Sequence, residues 1–181
     1  MSNKLPVGIL GATGIVGQRF IQMLERHPWF EVAWLAASDR SEGRPYAEAA
    51  RWRLKTAIPP NVAKMTVAAA KPEGAPKIIF AALDSSIARE LEPQFAAAGC
   101  AVVSNSSALR MQADVPLVIP EVNGDHIQLI ETQTWRRKWK TRAASRSQIG
   151  RRESANGGSL ILTTKAFLGD PSATTRSISP I

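Results

Sequence analysis

Val7-Gly8-Ile9-Leu10-Gly11-Ala12-Thr13-Gly14-Ile15-Val16-Gly17 is the stretch that decides the fold. A short apolar run (Val7, Ile9, Leu10) reaches a turn with glycines at Gly11, Gly14 and Gly17, and Gln18-Arg19-Phe20-Ile21-Gln22-Met23-Leu24 then opens an amphipathic segment. Strand, glycine turn and helix in this order are the context that gives a dinucleotide-binding fingerprint its meaning. Glycines let the backbone approach a pyrophosphate closely, and the unpaired N–H groups of a helix start face its charge. The spacing is G-x-x-G-x-x-G, not the commoner G-x-G-x-x-G. Alone it also fits a glycine-rich βα turn that holds nothing.

Outward from this stretch, the spacing of Ile15, Phe20, Ile21, Met23 and Leu24 predicts a helix over residues 14–26. His27-Pro28 stops it, because the residue before proline avoids the helical region. His27 therefore reads as a helix-end residue. A second strand over residues 29–37 ends in Ser38-Asp39-Arg40-Ser41-Glu42-Gly43. In a dinucleotide site that strand end selects the cofactor: an acidic residue bonds the ribose 2′-hydroxyl of NAD, and an arginine accommodates the 2′-phosphate of NADP. Asp39 stands 22 residues after Gly17, with Arg40 beside it. Hydroxyls at Ser38 and Ser41 flank a guanidinium able to grip phosphate through two bonds. The cluster predicts NADP, with Asp39 turned to solvent; a plain solvated turn is the other reading.

Further along, residues 45–53 suggest a short helix or turn, residues 54–61 a loop and residues 65–69 a small strand. A turn at residues 72–76 precedes a buried strand at 77–83, whose end, Asp84-Ser85-Ser86, can cap a helix. That helix is expected over 87–98, with Ile87, Leu91 and Phe95 on its core face and Gly99 at its C′ position. A strand at 101–103 closes on Ser104-Asn105-Ser106-Ser107. Cys100 reads as a small core residue, with no base suggested beside it. Alternating strands and helices predict an α/β fold with a doubly wound parallel, Rossmann-like sheet. Ligands in such folds lie at the strand ends. Residues 11–17, 38–41, 82–85 and 104–107 are all rich in Gly, Ser, Asn or Asp. One ligand lying across them would bring Ala82 into the cofactor site.

The chain has 181 residues, 44% of them hydrophobic, enough for one sizeable domain or one domain plus an appendage. No apolar run approaches the roughly 20 residues of a membrane helix. The N-terminal Met1-Ser2-Asn3-Lys4 leads straight into the first strand, unlike a secretory signal, and a single cysteine fits a reducing cytoplasm. No metal-ligand pattern is evident. The net charge of +8 is unevenly placed: residues 1–134 hold 13 Lys/Arg and 13 Asp/Glu, residues 135–181 hold 10 and 2. The domains are accordingly expected at 1–134 and 135–181, the second a basic Ser/Arg-rich tail whose composition predicts disorder.

Four blocks in one order carry a resemblance: Gly11-Ala12-Thr13-Gly14-Ile15-Val16-Gly17; Ala37-Ser38-Asp39-Arg40-Ser41; Ser104-Asn105-Ser106-Ser107-Ala108-Leu109-Arg110-Met111; and Val115-Pro116-Leu117-Val118-Ile119-Pro120-Glu121-Val122-Asn123. Together they resemble aspartate-semialdehyde dehydrogenase, in its archaeal and fungal-like branch, over about residues 5–131. The resemblance implies an oxidoreductase that makes aspartate semialdehyde from aspartyl phosphate with NADPH, on the route to lysine, threonine and methionine. It places Gly11, Thr13, Gly14, Ile15, Val16 and Gly17 at the pyrophosphate and Ser38, Arg40 and Ser41 at the 2′-phosphate. It matches Arg110 to the arginine that grips the acyl phosphate and Asn105 to a position lining the cleft.

The family's cysteine nucleophile, in an Asn-Cys-Ser/Thr motif, and its later histidine acid/base have no match: no cysteine follows Cys100 and no histidine follows His126. Gly157-Gly158-Ser159-Leu160-Ile161-Leu162-Thr163-Thr164 falls near where the motif would lie but continues Lys165-Ala166-Phe167-Leu168. No residue is assigned a catalytic role, and the chain is expected to be inactive alone. The tail reads as a frameshifted remnant of the catalytic domain. The alternatives are a non-enzymatic NADP-binding module whose basic tail, with Trp135 and Trp139, binds a polyanion, and a fragment of a related malonyl-CoA reductase. The family forms homo-oligomers, an expectation that carries over poorly to a chain without the substrate domain.

Overall fold

Leu5–Leu10 (β1) runs up the middle of a parallel sheet because its Val7, Ile9 and Leu10 are buried from both sides, as a central parallel strand requires. The computed structural model describes residues 4–132 and 160–164. After β1 come Ile15–Leu24 (α1), Phe30–Ala37 (β2), the helical turns Tyr46–Ala49 (α2) and Pro60–Ala63 (α3), and Ala68–Ala69 (β3). Ile78–Ala81 (β4), Ser85–Ala97 (α4), Ala101–Ser104 (β5), Leu117–Val118 (β6) and Pro120–Asn123 (α5) follow. A 3-10 helix over Gly124–Thr132 and the strand Leu160–Thr164 (β7) complete the described elements.

The strand order is β3-β2-β1-β4-β5-β7-β6, and all strand pairs are parallel. The chain moves outward from β1 to β2 and β3, then returns to the other side of β1 for β4 and β5. That reversal is the topological switch point of a doubly wound fold, and it opens a crevice at the C-terminal strand ends. The expected Rossmann-like sheet is present.

Alternation along each strand divides the core in two. Val7, Ile9, Leu35 and Ala37 pack with Ile21 and Leu24 of α1. Leu10, Ala36, Ile79, Ala81 and Val102 pack with Phe95 and Ala96 of α4 and with Cys100. On the first face Phe80 makes a tilted contact with Phe20 at 5.5 Å and an edge-on one with Phe30 at 6.1 Å; Trp34 meets Phe95 edge-on at 6.0 Å on the second. Gly99, at φ 92°, ends α4 where the glycine signal placed it. His27 also has the helix-end role: its Nδ1 accepts the N–H groups of Trp29 and Phe30, both at 3.2 Å.

Three local expectations are corrected. The residues expected as loop at 54–61 run into the α3 turn, because Pro60 is preorganised for a first helical position. The small strand narrows to Ala68–Ala69, since the bridge from Pro45 to Thr66 is antiparallel and lies apart from it. Phe95 is on the core face of α4 as expected, but its companions there are Ala88, Glu92 and Ala96, not Ile87 and Leu91. Ile87 stays 47% exposed; Ala88, small, lies on the sheet side, and Glu92 finds a hydroxyl beneath it.

One strand comes from beyond residue 134. β7 pairs with β5 (Ala101 to Leu160 through Ser104 to Thr163) and with β6 (Leu117 to Thr163, Val118 to Thr164). The rest of the basic stretch 135–181, including Trp135 and Trp139, lies outside the described residues. Phe95→Ala is expected to cost about 3–5 kcal/mol in urea unfolding, through the cavity it leaves. Ile87→Ala is expected to stay within about 0.5 kcal/mol; a reversed order would restore the core face read from periodicity.

Candidate dinucleotide crevice

The four strand-end segments meet at one edge of the sheet, stitched by backbone bonds that carry on past the strands. Gly11 and Ala12 donate to the Ala36 carbonyl at 2.8 and 3.0 Å. Ala82 donates to Leu10 at 2.8 Å, and Asn105 to Ala81 at 3.0 Å. The residues after β2, β1, β4 and β5 therefore lie side by side in that order, a row about as wide as three strand spacings of roughly 4.8 Å.

Two of the three motif glycines are sterically compelled. Gly11 has φ +85°, and a Cβ there would collide with the Ala82 carbonyl oxygen. A Cβ on Gly17 would collide with the Gly11 carbonyl oxygen and stand 2.8 Å from the Ala12 Cα. Gly14 differs: its Cβ would meet only the Gly11 oxygen at 3.4 Å, and it is exposed at the N-cap of α1. No side chain caps this helix end. The N–H groups of Ile15, Val16 and Gly17 therefore have no helical acceptor and open toward the crevice, with the positive end of the α1 dipole behind them.

From beneath, the loop is held by two residues that sequence reasoning did not single out. Tyr46 is fully buried, and its phenol donates to the Ala12 carbonyl at 2.8 Å. Burial pushes that phenol above its usual range, so it remains a donor. Gln18, also fully buried, donates to Thr13 and Arg51 carbonyls at 3.0 and 2.9 Å and accepts the Arg53 N–H at 2.8 Å. The one available signal was a glutamine on the core side of an apolar helix.

After β2, Ser38, Asp39 and Arg40 are exposed and Ser41 is buried; the Ser41 N–H donates to Ser38 at 2.8 Å and closes the turn. Arg40 and Asp39 both reach solvent at the crevice end. After β5, Arg110 donates through Nη2 to the Asn105 carbonyl at 2.9 Å, while its Nε is shielded from solvent with no partner among the described residues. An unfilled guanidinium donor at this place suits an anionic ligand.

A third residue without a signal in the sequence is Glu92, fully buried, whose Oε1 accepts the Ser104 hydroxyl at 2.5 Å. Ser104 Oγ in turn accepts the Ser106 N–H at 3.0 Å, and Ser106 Oγ accepts the Ala108 N–H at 3.2 Å. Ser85 Oγ pairs with Ser107 Oγ at 2.9 Å. Asp84 is the N-cap of α4 but makes no side-chain cap bond. Glu92 thus underpins the loop that carries Asn105 and Arg110. Burial lifts its carboxyl to about 7, opposed by the Ser104 bond. Burial likewise raises the Cys100 thiol, with Lys77 pulling the other way, so this buried sulfur is a poor thiolate. Among the described residues, no group of three or more His, Cys, Asp or Glu could hold a metal ion, and no helix is long and apolar enough to cross a membrane.

A family profile described as semialdehyde dehydrogenase, NAD-binding domain, matches residues 6–130. The aspartate-semialdehyde dehydrogenase of Methanothermobacter thermautotrophicus is 54% identical over 135 residues, covering 74% of this chain and 39% of that protein. The malonyl-CoA reductase (NADP) of Metallosphaera sedula is 41% identical over 142 residues, 77% of this chain and 40% of that protein. The crystal structure of aspartate-semialdehyde dehydrogenase with NADP from Candida albicans superposes with a TM-score of 0.72 at 39% identity, covering 88% of this chain and 42% of that one. The chain thus spans about two fifths of the length of the curated relatives it matches.

A folded pKa raised above the unfolded value means the native state binds the extra proton. Stability from Glu92 is therefore full below pH 4.5 and is lost as pH rises toward about 7, by up to about 3 kcal/mol. Glu92→Gln is expected to flatten the denaturant-midpoint profile across that window. A variant that keeps the wild-type slope would assign the slope to other groups.

Proposed function

This chain belongs to the semialdehyde dehydrogenase NAD-binding domain family, and on that premise we propose that it binds NADP(H) across its four strand-end loops. The observation carrying the proposal is the bare α1 N-terminus, with Gly14 exposed at its cap and Gly11 and Gly17 packed too tightly for any side chain. The pyrophosphate lies on the residues from Gly11 through Gly17, Ala82 borders the cofactor, and Ser38, Arg40 and Ser41 receive the 2′-phosphate. Exposed Arg40, two residues after the exposed Ser38, supports NADP over NAD, with Asp39 facing solvent.

The whole enzyme to which such a domain belongs is, on this reading, an aspartate-semialdehyde dehydrogenase. NADPH would deliver hydride to an acyl group, and Arg110, with its unfilled Nε, and Asn105 would hold the anionic substrate at the neighbouring loop. The relative named malonyl-CoA reductase is a second reading of lower identity, 41% against 54%. The acyl chemistry needs a thiolate, and the one cysteine here is buried in the core. These residues are therefore proposed to supply cofactor binding without turnover.

Isothermal titration with NADPH and NADH tests the reading. Arg40→Ala is expected to weaken NADPH by about tenfold or more while changing NADH little, the scale of one charge-assisted bond. No heat with either nucleotide at millimolar concentration would overturn it. NADPH production from NADP, aspartate semialdehyde and phosphate by this chain alone would refute the absence of turnover.

A further inference from the structure

The two buried anchors under the glycine loop have no part in the chemistry above, yet they hold two of its carbonyls, those of Ala12 and Thr13. A trans peptide directs its carbonyl and its N–H to opposite sides. The Ala12 carbonyl is held inward by the Tyr46 phenol at 2.8 Å, so the N–H of Thr13, in the same peptide plane, is aimed outward to the open side of the loop. The next carbonyl, that of Thr13, is held by Gln18 at 3.0 Å. Two consecutive carbonyls are thereby kept away from the place where phosphate oxygens would lie. Left free, a loop of this glycine content would expose carbonyls to an anion as readily as amides.

The anchors also join the two ends of the crevice. Tyr46 begins α2, its own N–H bonded to Met65 at 2.8 Å, and it follows the turn at residues 38–41 by one short connection. The Gln18 bonds to Arg51 and Arg53, at 2.9 and 2.8 Å, fix the far end of the same segment behind α1. Trp52 sits edge-on to Tyr46 at 6.4 Å.

We propose that Tyr46 and Gln18 are positioning residues for the cofactor pyrophosphate, holding the Thr13 amide toward the anion, and the Ala12 and Thr13 carbonyls away from it, before it arrives. The inference rests on the NADP(H) reading. Because the pyrophosphate is common to both nucleotides, these residues set affinity for the two alike, whereas Arg40 sets the preference between them.

The test uses the full chain with Tyr46→Phe, which removes one oxygen, and Gln18→Met, which keeps the volume. Nucleotide affinities are read by titration on protein shown to be folded by circular dichroism. NADPH and NADH should each weaken by about 3- to 10-fold per variant, the scale of one lost hydrogen bond, with their ratio unchanged. Gln18→Glu keeps the acceptor for Arg53 but loses both donors, and should behave as Gln18→Met does. Unchanged affinities in folded variants, or a loss confined to NADPH, would overturn the role. A wild-type chain that binds neither nucleotide would remove the NADP(H) reading. The orienting role would then be decided by backbone NMR relaxation at residues 11–17: loosening in Tyr46→Phe sustains it, and unaltered order refutes it.

Discussion

The Ala82 carbonyl oxygen occupies the space that a side chain on Gly11 would need, and the Gly11 carbonyl occupies the space a side chain on Gly17 would need. These two close approaches set the geometry of everything above the sheet. They let the end of β1 lie flush against the residues after β4, and they let α1 start at once, turned back against the strand it has just left. A helix displaced outward by one methyl group would lift its first turn from the crevice. The parallel sheet supplies the row of strand ends, but the missing β-carbons decide that a helix dipole, not a side chain, faces the middle of that row.

Two of the buried polar side chains close to the crevice, Gln18 and Glu92, come from opposite faces of the sheet and are satisfied differently. Gln18 bridges three backbone groups, so desolvating its amide is matched by bonds on both of its ends. Glu92 receives one hydroxyl and leaves Oε2 without a partner among the described residues. An amide holds its hydrogen bonds at any pH, whereas a half-satisfied carboxyl near its titration point does not. The cofactor loop is thus tied to a pH-indifferent support and the Asn105–Arg110 side to one that titrates.

How much of this was legible in the sequence depended on whether the signal was local. The glycine turn, the alternation of apolar runs with amphipathic segments and the Gly99 stop all act within a few residues, and each is present in the structure. The α4 core face was misplaced because periodicity weighs Ile87 above Glu92. The carboxyl goes inward only because Ser104, twelve residues later, offers it a hydroxyl. Tyr46 and Gln18 escaped notice for the same reason: their partners are the Ala12 carbonyl, 34 residues away, and the backbone at Arg51 and Arg53. Side-chain to backbone bonds across such separations leave no pattern in composition. The segment containing Leu160–Thr164 reads in the sequence only as lying near the place of an absent catalytic motif, within a tail whose composition predicts disorder, and nothing in it announced a place between β5 and β6.

That placement bears on the order in which the molecule can be built. β6 leaves the ribosome before β7, yet the sheet order seats β7 between β5 and β6. Until residues 160–164 emerge, the open edge of β5 has a row of unpaired amides and carbonyls, and β6 has no strand to lie against. During synthesis such an edge invites pairing with foreign strands, and closing it later requires contacts spanning about 60 residues, between Ala101 and Leu160. The half of the sheet around β1 is complete once β4 is made. The other half is left waiting on β7, and is where a nascent chain would go astray first.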